Sequence, residues 1–137
     1  MTQRSMILDR VGGLDAAEVD VYREGSPYQP FGISRRAWGG EPFVDFISKT
    51  GDHHAIAYTH LYDIAFNPSA GIVLQFSDHF VRIAGIGLAD VYAQLLRQRV
   101  VFICEADHAA ASIAEQGQTT VTRLSIEARA PQDMAHA

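Results

Sequence analysis

Between Phe43 and Cys104 the apolar residues recur first at every second position and then at helical spacing, and this change of period restricts the fold more than any other feature. The alternating part breaks into short runs. Phe43-Val44-Asp45-Phe46-Ile47-Ser48 is followed by a turn at Lys49-Thr50-Gly51-Asp52, and His53-His54-Ala55-Ile56-Ala57-Tyr58 restarts as a second strand. Leu61-Tyr62-Asp63-Ile64-Ala65-Phe66 is a third, with Tyr62, Ile64 and Phe66 expected on one face. Asn67-Pro68-Ser69-Ala70-Gly71 turns the chain into Ile72-Val73-Leu74-Gln75-Phe76. Ser77-Asp78-His79 turns it again, into Phe80-Val81-Arg82-Ile83-Ala84. Short alternating runs separated by turn residues describe consecutive antiparallel strands.

The period then changes. Leu88, Val91, Tyr92, Leu95 and Leu96 form one stripe on a helix near 88–99. Gly85 and Gly87 supply the entry from strand to helix; Asp90 falls in the first turn, and Arg97 and Arg99 in the last, as the helix dipole favours. Val100-Val101-Phe102-Ile103-Cys104 is apolar throughout and reads as a strand buried on both faces. Asp107 is a candidate cap for a second short helix near 108–116, stopped by Gly117, and the alternation from Thr119 to Ala128 predicts a last strand.

This pattern predicts an α+β fold. Five to seven strands form a small antiparallel β-roll or partly open barrel, packed by the amphipathic helix. Residues 43–128 form the single domain, and 129–137 a frayed tail. Residues 1–42 read as an irregular strap, because Gly25, Pro27, Pro30, Gly32, Gly39, Gly40 and Pro42 deny it long elements. Its one helical stretch is Val11 to Val19, with Asp15 as the cap. The architecture is similar to small barrels of the SH3-like, Sm-like or pleckstrin-like kinds, a likeness that does not fix function.

Composition excludes several classes. A net charge of −5 with a single lysine, Lys49, does not suit a dedicated nucleic-acid binder, which needs cations to neutralise phosphates. The lone Cys104 cannot form an internal disulfide. No run reaches the 18 or so apolar residues of a membrane span, and the first residues lack a signal-peptide core, so the chain reads as cytoplasmic.

Candidate sites are few. Asp52, His54, Asp78 and His79 sit at two turns, and His54, Asp78 and His79 would offer nitrogen and oxygen ligands to a divalent metal if those turns share one end of the sheet. Because neighbours on a strand face opposite ways, only one of His53 and His54 can take part. The triplet Asp52-His53-His54 also occurs in a phosphoesterase superfamily, whose further Asp-rich metal motifs are missing here. Gly85-Ile86-Gly87 lacks the third glycine of a dinucleotide fingerprint, with Asp90 in its place. Arg35, Arg36 and Trp38 would grip a phosphate or stack a base of single-stranded nucleic acid; otherwise the arginines pair with carboxylates while Trp38 packs on the body. Cys104 is expected to be buried and inert.

No nucleophile, acid–base pair or phosphate loop is assembled. The expected function is therefore non-catalytic: a module without cofactor that associates with itself through sheet edges, or with another protein partner. The alternatives are a divalent-metal protein or enzyme using His54, Asp78 and His79, and a nucleic-acid module using Arg35, Arg36 and Trp38.

Overall fold

The computed structural model describes residues 18–37, 39–113 and 117–129. They form a mixed α+β domain. Eight strands are present: β1 (Phe31–Ile33), β2 (Phe43–Ile47), β3 (His53–Ala57), β4 (Leu61–Asn67), β5 (Gly71–Phe76), β6 (His79–Ile86), β7 (Val100–Cys104) and β8 (Thr120–Ala128). A 3-10 turn (Tyr58–His60) joins β3 to β4, and the helices are α1 (Ala89–Leu96) and α2 (His108–Ile113). The strands divide into two four-stranded sheets, ordered β1-β7-β2-β3 and β4-β5-β6-β8, where five to seven strands in a roll or partly open barrel were expected. The described residues form no closed barrel.

Local chemistry sets the hairpins. In the β4–β5 turn the Asn67 carbonyl accepts from Ala70 N–H at 2.9 Å, and its side chain accepts from Ser69 N–H at 2.8 Å. Asparagine does this without strain, and Pro68 fixes the following φ. The β2–β3 turn is closed by Gly51 N–H to the Ser48 carbonyl at 2.9 Å.

The sheets bury Val44, Phe46, Ile72, Leu74, Phe76, Val81 and Ile83 between them, and Leu88, Val91 and Leu95 from α1 and its entry complete this cluster. Each such side chain contributes about 1.5–3 kcal/mol by leaving water. Phe46 and Phe76 meet edge to face, 6.1 Å between centroids. A second cluster, Ile47, Phe102 and Cys104, lies under Tyr22 and Tyr28. Strand β7 thus feeds both clusters, as its unbroken apolar run predicts.

Four expectations change. The strap contains β1, and an isolated bridge joins Val19 to Ser34. β7 runs parallel to β2, although an antiparallel sheet was expected, because the chain returns through α1. The register shifts between Leu61 and Asp63, which takes Tyr62 out of the alternation; it is 57% exposed while Ile64 and Phe66 pack inward. The first helix stops at Leu96. Arg97 is its cap, and the next two N–H groups turn back, Gln98 to Leu95 O at 3.0 Å and Arg99 to Gln94 O at 2.9 Å. That is a Schellman closure with Gln98 at φ 56°, a conformation glycine normally supplies. Arg99 lies beyond the helix and donates to the carbonyls of Ser34 and Arg36. The second helix is capped by Asp107, whose Oδ1 accepts from Ala110 N–H at 2.7 Å; residues 114–116 of its expected span lie outside the described residues. So do most of the stretch 11–19 and all of 130–137.

Candidate functional site

The two histidine-bearing turns converge. His54 on β3, in one sheet, and His79 at the start of β6, in the other, have ring centroids 5.0 Å apart and planes at 86°. The register sets His54 opposite Phe46, so it shares the side of β2 that faces the other sheet. His79 is partly buried and His54 exposed. Asp78 is also exposed; its carbonyl accepts the Arg129 N–H at 2.8 Å. Among the described residues no group of three or more His, Cys, Asp or Glu side chains could hold a metal ion. The structure therefore brings two of the three expected ligands together as a pair.

His53 takes the opposite face. Its Nδ1 lies 2.6 Å from Asp45 Oδ2, and Tyr22 packs edge-on against its ring at 5.3 Å. Asp45 Oδ1 is buried without a hydrogen-bond partner among the described residues. A carboxylate on Nδ1 orients an imidazole for proton transfer or metal binding in many sites. The pairing was legible from the hairpin register, since Ile47 opposite His53 places Asp45 diagonally beside it on the same face.

The arginines of the loop after β1 have carboxylate partners. Arg35 Nη1 donates to Asp20 Oδ1 at 2.8 Å, and this bond raises its pKa; Arg36 Nε lies 3.6 Å from Glu18 Oε2. Trp38 lies outside the described residues.

Cys104 is buried, and burial reinforced by Glu105 pushes its thiol up to about 11, so it is not a thiolate at neutral pH. Its carbonyl accepts from Tyr28 Oη at 2.8 Å, and the same hydroxyl accepts the Val121 N–H at 3.0 Å. Burial drives the Tyr28 pKa up to about 12. Next in the chain, the Glu105 carboxylate accepts from Lys49 N–H at 3.0 Å and from Leu124 N–H at 3.1 Å. A cavity of about 510 Å³ lies between this cluster, residues 22–29 and the β2–β3 turn.

These bonds bear on the sheet edges. The outer side of β8 is occupied at Val121 and Leu124 by Tyr28, Glu105 and the Ala106 N–H, which reaches Val121 O at 2.8 Å. The outer side of β1 is occupied by the strap: Asp20 N–H bonds Ile33 O at 2.9 Å and Asp20 Oδ2 accepts Ile33 N–H at 2.9 Å. Strands β3 and β4 are the other edges. Among the described residues the backbone bonds that β4 makes outside β5 lie at its two ends, Leu61 N–H to the Tyr58 carbonyl and Ala70 N–H to the Asn67 carbonyl. β4 spans seven residues with one charge, Asp63, and borders a groove of about 270 Å³ lined in part by Leu61, Ile64, Leu95 and Leu96. Sequence reasoning did not single out this strand, because edge status depends on strand order.

No helix among the described residues is long and apolar enough to cross a membrane. No protein-family model matches this chain, and neither does any curated protein or any solved structure.

Proposed function

We propose that this protein is a non-catalytic association module that pairs with a second copy of itself along β4. The observation that carries the reading is the contrast among the edges. Side chains and the strap occupy β1 and β8, whereas β4 offers seven residues of backbone with a single charge. Unpaired edges are liabilities that soluble proteins block by charge, proline, shortness or cover. β3 is the shorter alternative at five residues and carries His53 and His54.

A two-fold axis beside Ala65 gives a self-complementary antiparallel pairing. Ile64 then stands opposite Phe66 of the second copy, and Asp63 opposite its Asn67, so no like charges face each other. Exposed Leu96, beside the groove, supplies apolar surface next to the new ladder.

Sedimentation velocity tests the reading. The native chain is expected to dimerise at ~100 µM, where any interface better than about −5.5 kcal/mol is populated. Ala65→Arg places two cations face to face at the axis and returns the protein to monomer with an unchanged circular-dichroism spectrum. A native chain that stays monomeric at that concentration, or a dimer untouched by Ala65→Arg, contradicts it.

A further inference from the structure

We infer that His54 and His79 together bind one divalent transition-metal ion, of the copper, nickel or zinc class, and that the ion ties the two sheets to each other. The inference does not depend on the pairing through β4. It starts from spacing. With a metal–nitrogen distance of about 2.0–2.1 Å and a further 1.2 Å or so to the ring centre, two imidazoles on one ion have centroids about 4.5 Å apart at a right angle and about 5.2 Å apart at the tetrahedral angle. The observed 5.0 Å falls within that interval. The rings now meet edge to face. The χ2 torsion of histidine is a broad sp³–sp² one, so ring reorientation needs no backbone movement.

Chemistry selects the ion. Imidazole suits copper, nickel and zinc, whereas magnesium and calcium require oxygen ligands. The absence of a third His, Cys, Asp or Glu in reach among the described residues leaves the other positions to water. The site is accessible, since His54 is exposed. The other described histidines do not add a third ligand. His53 is held by Asp45 on the opposite face of β3, and neither His60 nor His108 belongs to a three-ligand group.

Because the two rings come from different sheets, an ion bound by both stabilises the folded state by mass action. Binding requires unprotonated imidazole, so it weakens as the solution is acidified.

The test is calorimetric titration of tag-free protein with Cu²⁺, Ni²⁺ and Zn²⁺, together with thermal melts at each ion concentration. One ion per chain is expected, with a saturable rise in Tm and no response to millimolar Mg²⁺. His54→Ala and His79→Ala should each lose affinity by more than the roughly 10–100-fold that follows loss of an outer-shell partner. The double variant should lose the Tm response entirely while keeping the native circular-dichroism spectrum. No binding by the native chain, or binding and a Tm rise that survive in the double variant, would overturn the inference.

Discussion

The Leu124 N–H donates to Glu105 Oε2 at 3.1 Å, and this one bond joins the end of β7 in one sheet to the middle of β8 in the other. The second oxygen of Glu105 holds the Lys49 N–H on the β2–β3 turn, while its own N–H reaches Ile47 O at 2.9 Å. Glu105 is the one buried acidic or basic side chain among the described residues. Two backbone donors explain why a carboxylate sits there. It also occupies the outer side of β8 at Leu124, whereas the bonds of β4 outside its pair with β5 lie only at its ends.

Glu105→Ala should destabilise the fold by about 2–4 kcal/mol, because bonds to a carboxylate are worth about 1.5–3 kcal/mol each and the exposed Lys49 N–H recovers part of its loss from water. Glu105→Gln keeps one acceptor oxygen and should cost roughly half as much. Urea unfolding measures both. Equal costs for the two variants would show that packing, and not the paired acceptors, sets the value.

Gln98 occupies the left-handed position that closes α1. A residue with a Cβ is strained there, so Gln98→Gly should raise stability by about 0.5–1 kcal/mol, after allowing for the larger entropy of unfolded glycine. The urea midpoint should rise with an unchanged slope. A fall would mean that the Gln98 side chain, which packs over Gly40, contributes more than the strain costs.

Alkaline pH should weaken the fold through Cys104. Its folded pKa is raised to about 11, chiefly by burial, whereas an unfolded thiol titrates near 8.5. Between these values the folded state keeps a proton that the unfolded state has lost, so stability falls as pH rises. Below about 8.5 the effect is absent. Its size is of the order of 2 kcal/mol. Cys104→Ala should flatten the decline in urea midpoint between pH 8.5 and 10. An unchanged slope assigns the decline to other groups, of which Tyr28, raised to about 12, is the nearest.

Much of this was legible from local pattern. Alternation located β2 to β6 within a few residues, and the apolar run of β7 predicted its burial on both faces. Breakers hid β1, whose three residues are held by Asp20 from the strap and by β7, contacts remote in sequence. The parallel β2–β7 pair and the division into two sheets depend on strand order, which no local period records. The sequence left open whether the turns bearing His54 and His79 share one end of the sheet, since that depends on strand order, and the structure supplies the distance between the rings. Asp45 was passed over because its role requires the hairpin register. Glu105 was passed over because a lone acidic residue after an apolar run looks like a solvated strand end.

Amide hydrogen exchange of β4 as a function of protein concentration tests the central claim most directly. If β4 pairs with a second copy, peptides covering Leu61 to Asn67 become protected as concentration rises, while those covering β8 near Leu124 stay as they are. Ala65→Arg abolishes the gain. Exchange in β4 that is the same at low and high concentration would contradict association through this edge.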